Sequence, residues 1–345
     1  MDAVEQAQSG HPGTPMALAP TAYVLWSRFL RHDPAHPDWA DRDRFILSCG
    51  HASMLLYALL HLAGYDLSLD DIRNFRQLGS LTPGHPERGH TSGIEVTTGP
   101  LGQGVGNAVG MAIAERFLAG HFNRPGFEVV AHRTWAFVSD GDLMEGVASE
   151  AASIAGHLKL AGLTLIYDDN QITIDGRTSI SFSEDVGRRF EAYGWRVLRI
   201  ADGNDLAEIS RVLETARAES ARPTLVILRT HIADPAPTKR DTSAAHGAPL
   251  GAEEVRRTRE ILGWPSEPFH VAAEAGAWRE QSVEKGAGLE EDWQRLFAGY
   301  AEAHPALAAE FEQWRSGALP PGWDGKLPVF TPADGKLATR QASAK

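Results

Sequence analysis

Five short apolar runs rich in β-branched and aromatic residues punctuate the chain: Arg44–Ser48, Thr134–Ser139, Thr164–Tyr167, Trp195–Ile200 and Thr224–Arg229. Each has the length and composition of a buried strand. Between the second and third, Leu143, Val147, Ala151, Ile154 and Leu158 recur at helical spacing, and between the fourth and fifth Leu206, Ile209, Leu213 and Ala216 do the same. Crossovers of this length predict an α/β fold: a doubly wound, mostly parallel sheet with helices on both faces. Ligands then belong at the carboxyl ends of the strands. Gly104–Phe117, with Gly106, Ala108, Gly110, Ala112 and Ala114, reads as a close-packing helix.

Ala233–Gly251 carries three prolines and no periodicity, so it reads as a loop, and loops of this length are often functional. Ala252–Leu262 and Leu289–Arg315 look helical, Gly317–Asp334 reads as an extended linker, and Gly335–Lys345 carries no core signal. The expected organisation is a binding body over 1–250, a helical extension over 251–316 and a linker over 317–345.

Composition narrows the partners. A formal net charge of −12, with acidic residues scattered along 345 positions, disfavours nucleic acid and anionic membrane. The single cysteine, Cys49, offers neither an internal disulfide nor zinc-binding spacing and reads as a small buried hydrophobe. No apolar stretch reaches the ~18 residues of a membrane span. Met1 is followed by a polar, acidic stretch rather than a signal peptide, so a cytoplasmic setting is expected.

Ser139-Asp140-Gly141-Asp142 ends a strand and opens a helix expected to contain Glu145 and Glu150. Backbone N–H groups there suit a phosphate oxygen, and Asp140 offers a hard oxygen to a metal that neutralises phosphate charge. By itself an Asp-Gly pair after a strand is most often a turn. Tyr167-Asp168-Asp169-Asn170-Gln171-Ile172 follows the next strand, with Asn170 30 residues beyond Asp140. The Asn170 side-chain oxygen and the Ile172 carbonyl, with Asp140, two diphosphate oxygens and a water, would complete an octahedral magnesium shell; calcium and manganese are alternatives. This spacing resembles the thiamine diphosphate motif, with Ser139 in place of its first glycine.

Further segments resemble transketolases in particular, in that family's order: Ser9-Gly10-His11-Pro12-Gly13, Gly50-His51-Ala52, Thr82-Pro83-Gly84-His85-Pro86-Glu87, Thr97-Thr98-Gly99-Pro100-Leu101-Gly102-Gln103-Gly104 and Ala245-His246-Gly247-Ala248-Pro249-Leu250. The resemblance implies the thiamine-diphosphate-binding fold and transfer of a two-carbon ketol unit from a ketose phosphate to an aldose phosphate. It implies that His11 and His246 approach the reacting sugar and exchange protons, and that His85 contacts the donor's hydroxyl end. His51, Gly99, Pro100, Leu101, Asp140, Gly141, Asn170 and His246 would meet the cofactor, with Asp140, Asn170 and Ile172 on the metal. Glu145 and Glu150 match positions near a dimer interface. Thr230–Pro237 departs from the family's Ile-Gly-Tyr-Gly pattern.

The resemblance also places an activating glutamate and most sugar-phosphate contacts in a pyrimidine domain expected to begin near Ala338-Thr339-Arg340-Gln341. A pyrimidine-domain subunit or a second transketolase chain is therefore the expected partner. Two other readings stay open: a truncated cofactor-binding or dimerising module without turnover, and the α-subunit of a 2-oxoacid dehydrogenase. The histidine-containing motifs argue against the latter. Dihydroxyacetone synthase and 1-deoxyxylulose-5-phosphate synthase are nearer relatives.

Overall fold

A computed structural model describes residues 1–344. Helices α1 (Asp2–Ala7) and α2 (Gly13–Val24), the latter continued by a π turn over Leu25–Phe29, lead to β1 (Arg44–Leu47). Then α3 (Ser53–Ala63), α4 (Leu69–Arg73) and α5 (Gln103–Phe122) precede β2 (Thr134–Ser139). The chain crosses through α6 (Asp140–Met144) and α7 (Gly146–Leu158) to β3 (Leu163–Asp169). It continues through α8 (Val186–Ala192) to β4 (Arg196–Ile200), and through α9 (Leu206–Arg217) to β5 (Thr224–Arg229). Helices α10 (Ala252–Leu262), α11 (Ala273–Ala303), α12 (Pro305–Ser316) and α13 (Thr339–Ser343) follow.

All five strands pair in parallel, in the order β1-β2-β3-β5-β4. Alternation of side chains across a strand explains their near-continuous apolar sequence. Phe45, Leu47, Trp135, Phe137, Ile166, Val226 and Leu228 join the core under α2, α3 and α9. Their neighbours Ile46, Ala136, Val138, Leu165, Tyr167, Leu225 and Ile227 join the opposite core, under α5, α7 and α8. This is the doubly wound arrangement expected, with strand ends within about two residues of those read from sequence.

Several local expectations are corrected. The single helix expected after β2 is broken at Glu145, which is extended (φ −73°, ψ 138°) between α6 and α7. Val147 and Ile154, expected inside, are 38% and 50% exposed, whereas Ala148, Ala151, Ala152, Ala155 and Gly156 are buried. Small residues win because α7 lies too close for anything larger: a Cβ on Gly156 would sit 1.9 Å from the Tyr193 carbonyl oxygen. Leu206 is likewise exposed, and Val212 takes its place in the face that α9 buries.

Residues 233–251 form a packed loop rather than an open one. Ala233, Ala236, Ala245 and Leu250 are buried with Val255 of α10. The Glu254 carboxylate holds it by accepting from Thr238 N (2.7 Å), Thr238 Oγ1 (2.8 Å) and Lys239 N (3.0 Å). The helix expected from Leu289 begins earlier, at Ala273, and breaks at His304, because a residue before proline is pushed out of helical geometry. A short α13 occupies part of the tail read as carrying no core signal; Lys345 lies outside the described residues.

The chain divides into two compact units, Met1–Leu296 and the segment from Phe297 onward. The first holds the sheet and both cores. In the second, the Phe297 ring lies 5.8 Å from Tyr300 and 5.3 Å from Phe311. Among the described residues no helix is long and apolar enough to cross a membrane.

Candidate functional site

The carboxyl ends of β1, β2, β3 and β5 deliver the loops that carry nearly every residue singled out from sequence. After β2, Ser139 and Asp142 form a reciprocal capping box that fixes the turn around Asp140 and Gly141. Asp142, fully buried, does more than cap. Its carboxylate accepts from Ser48 Oγ at 2.6 Å and Gly102 N at 2.8 Å as well as from Ser139 N and Oγ at 2.9 and 3.0 Å. One side chain thus ties together the loops after β1, before α5 and after β2. Sequence reading gave Asp142 no role, although the Ser-x-x-Asp spacing that makes the box was visible. The helix it caps has five residues, so isolated backbone N–H groups rather than a long macrodipole face any anion there.

Asp140 is buried and accepts the Tyr167 hydroxyl. Burial pushes its carboxyl up to about 7; the Tyr167 hydrogen bond opposes this and the neighbouring Asp168 and Asp169 add to it. Asp168 lies opposite Ser139 in the strand register. It accepts from Asn170 Nδ2 (2.7 Å) and the Thr230 hydroxyl, and burial raises it to about 6. Asn170 Oδ1 in turn accepts from Ile172 N at 2.9 Å, across Gln171 at φ +63°. Asp140 thus lies at the end of the strand next to the one that carries Asn170 and Ile172, and Asn170 already spends one lone pair of the oxygen expected to bind metal. Three carboxylates crowded at two strand ends, two of them pushed up by burial and mutual repulsion, suit a multivalent cation.

Gly141 packs against the Leu101 side chain: a Cβ there would lie 2.8 Å from Leu101 Cδ1, so the Gly99–Leu101 loop rests on the turn, with Pro100 exposed. A Cβ on Gly50 would meet Gly99 N at 2.7 Å and Thr98 Oγ1 at 2.6 Å.

Four histidines come together by the Gly99–Leu101 loop, which His85 and the Gly50 backbone approach. The rings of His11, His51 and His246 lie 5.0, 5.1 and 5.6 Å apart, centre to centre. His85 lies against Gly99, whose φ is +150°. Its loop is held by Tyr57 Oη, donating to the Pro83 and His85 carbonyls (2.9 and 3.2 Å), and by Ser53 Oγ, donating to Gly84 O (2.9 Å). Burial, then the neighbouring histidines and Arg76, lowers His11 to about 4; burial and the other three histidines lower His51 to about 3. His85 and His246 are also lowered, chiefly by burial. All four are neutral near pH 7, so each ring has one nitrogen to donate and one to accept. Buried nitrogens His11 Nδ1, His51 Nε2 and His246 Nδ1 have no hydrogen-bond partner among the described residues. Unsatisfied buried polar atoms are costly in a finished fold, so three converging ones fit a polar ligand.

Arg76 escaped the sequence reading, since a lone arginine in a loop carries no pattern. Its Nη1 donates to Ser9 Oγ (2.8 Å), and it lines a groove of about 610 Å³ with His85 and Glu87. Cys49 is buried, and burial raises its thiol well above the usual range, as befits a small hydrophobe. Glu145 and Glu150 are exposed, as are Met144, Val147 and Ile154, and Glu145 packs beside Gly102.

A doubly wound sheet with this cluster at its carboxyl edge defines a cofactor-binding α/β domain. Residues 1–320 match the family described as transketolase, thiamine diphosphate binding domain, and the chain belongs to that family. It is 56% identical to the transketolase of Geobacillus stearothermophilus, over 100% of this chain and 52% of that protein. Identity to transketolase 1 of Escherichia coli is 52%, over 99% of this chain and 52% of that one. A Pichia stipitis transketolase solved as a complex with sedoheptulose 7-phosphate superposes with a TM-score of 0.95 at 45% identity, covering 98% of this chain and 50% of its own. The chain spans about half the length of the curated relatives it matches.

Proposed function

We propose that this chain is the diphosphate- and metal-binding half of an assembly that transfers a two-carbon ketol unit from a ketose phosphate to an aldose phosphate. The observation that carries the reading is the trio of buried, unpartnered ring nitrogens on His11, His51 and His246, whose rings lie 5.0–5.6 Å apart. Asp140, Asn170 and Ile172 would hold magnesium, with calcium or manganese as alternatives. Gly141, His51, Gly99, Pro100, Leu101 and His246 would hold thiamine diphosphate, which supplies the electron sink for carbon–carbon cleavage. His11 and His246, kept neutral by burial, would donate to and accept from substrate hydroxyls without carrying a charge into the site. His85 would meet the donor's hydroxyl end, and the Arg76 cation beside it suits a phosphate oxygen.

A protein partner fits the outer surface of α5 and α7, where Ile113, Val147 and Ile154 are exposed together with Met144. That partner is a pyrimidine-domain subunit or a second transketolase chain, with Glu145 and Glu150 at the rim. The reading keeps 1–250 as the binding body, 251–316 as its helical extension and 317–345 as a linker, in a cytoplasmic protein. The test is turnover of xylulose 5-phosphate with ribose 5-phosphate, with cofactor and magnesium, for the chain alone and mixed with a pyrimidine-domain partner. Activity only in the mixture is expected. Activity of the chain alone would refute the need for a partner, and cofactor binding without turnover in any mixture would favour a binding module.

A further inference from the structure

A second cluster of metal-ligating side chains lies at the opposite, amino end of the sheet. Asp33 and His36 sit in the segment before β1, and Glu290 is on α11. That segment is anchored at the amino end by Asp41 and Asp43, whose carboxylates accept from Ala131 N (2.6 Å) and Arg133 N (2.8 Å) just before β2. We propose that Asp33, His36 and Glu290 form a binding site for a divalent first-row transition metal, with zinc the ion of best chemical fit.

The donor atoms converge: one ligand atom from each residue lies within 4.8 Å of the other two. His36 Nδ1 is 3.2 Å from Asp33 Oδ2 and 2.5 Å from Glu290 Oε2. A single Nδ1–H can donate to only one of these oxygens at a time, so a proton satisfies the trio incompletely. A dication satisfies both carboxylates and the ring's lone pair, and a mixed imidazole and carboxylate set at about 2.0–2.2 Å is ordinary for zinc.

The outer oxygens are already held. Asp33 Oδ1 accepts from Ala35 N (2.9 Å) and Glu290 Oε1 from Gln294 Nε2 (3.1 Å), which leaves Oδ2 and Oε2 turned toward the imidazole. Such outer contacts orient ligands before an ion arrives. The backbone is set as well. A Cβ on Gly286 would lie 2.7 Å from His32 O and 2.8 Å from Asp33 Cα, so α11 touches this segment one helical turn before Glu290. The Asp33 and Glu290 side chains are 0% and 14% exposed, while His36 is 65% exposed, which gives an ion its way in and leaves room for water as a further ligand. A bound ion would staple the loop before β1 to α11.

The experiment is equilibrium dialysis of metal-free protein against Zn²⁺ at about pH 8, on the alkaline side because the hydrogen bond to Asp33 and the Glu290 charge raise the His36 imidazole above its ordinary value and a proton there competes with the ion. Wild type is compared with His36→Gln, at an exposed position, and Glu290→Gln, a near-isosteric change at a largely covered one. Each variant should bind one equivalent fewer than wild type or bind it more than about tenfold more weakly. Circular dichroism in chelator should superpose for all three. Equal Zn²⁺ binding by wild type and either variant overturns the assignment. Independently of folding in the variants, Zn²⁺ should protect His36 of wild type from acylation by diethyl pyrocarbonate, because metal on Nδ1 leaves Nε2 protonated. Unchanged modification of His36 in peptide mass spectra would equally overturn it.

Discussion

Replacing Asp142 by alanine would remove an acceptor shared by three loops of the proposed cofactor site. Four donors lose their partner: the Ser48 and Ser139 hydroxyls and the Gly102 and Ser139 backbone N–H groups. The hydroxyls can rotate toward other acceptors; the backbone groups cannot. Stranding a buried donor costs about 1–3 kcal/mol, so the two N–H groups together lose about 2–6 kcal/mol. Burial already pushes the Asp142 carboxyl up, so removing it also relieves desolvation, and a net loss of about 3 kcal/mol is the working figure. In a unit running from Met1 to Leu296, with an unfolding entropy of about 2.1 cal/mol/K per residue, that lowers the melting temperature by about 5 °C. Asp142→Asn keeps one carbonyl oxygen and should fall between alanine and wild type. Melting curves by circular dichroism give the total, and hydrogen exchange shows where it acts. Amides near Ser48–His51, Gly99–Gly102 and Ser139–Gly141 should exchange faster and thiamine diphosphate affinity should drop. A melting shift under about 2 °C would refute the tie. So would a large shift with those loops still protected.

Gly13→Ala should damage the site from a distance, because its Cβ would lie 2.5 Å from both the Ala245 carbonyl oxygen and Ile232 Cγ1, prying the His246 loop from α2. A loss of cofactor affinity by isothermal titration is expected, and unchanged affinity would show that the loop yields freely. For Asp140→Asn, cofactor binding should lose its dependence on added magnesium in fluorescence titrations; a persisting metal requirement would remove Asp140 from the metal site. His51 is lowered to about 3 in the fold against about 6.5 unfolded, so its stabilising share is present above about pH 6.5 and lost as pH falls toward 3. Asp140, Asp168 and Glu115, raised to about 7, 6 and 7, have the opposite sign, so the wild-type curve alone mixes the two. The melting advantage of wild type over His51→Gln should therefore shrink between pH 7 and 4.5, and a constant difference would contradict the shift.

Four of the five strands were legible because strands buried on both faces need apolar residues at nearly every position, and that requirement leaves a near-continuous run in the sequence; β4, at the sheet edge with Arg196 and Arg199, still keeps Val197, Leu198 and Ile200. The motif residues were legible for a different reason: Gly-His, Asp-Gly and Asn at fixed separations follow from where strands end. Sequence alone therefore determined the α/β class, the strand ends that carry the candidate residues and the family resemblance. It misjudged the inner face of α7, since helical period marks Val147 and Ile154 as apolar while the close approach of the chain at Gly156 admits only small residues. The tertiary structure alone decided which polar groups are shared across distant segments. Asp142 joins residues as far away as Ser48, Arg76 reaches back to Ser9, and Asp33 meets Glu290 from the far end of the unit. Such pairings depend on through-space distances of a few ångströms between residues tens to hundreds of positions apart, which no local periodicity records. The unpartnered nitrogens of His11, His51 and His246 belong to the same class, because only a folded chain can bury three rings from distant segments within 5.0–5.6 Å of one another and leave those atoms without a partner.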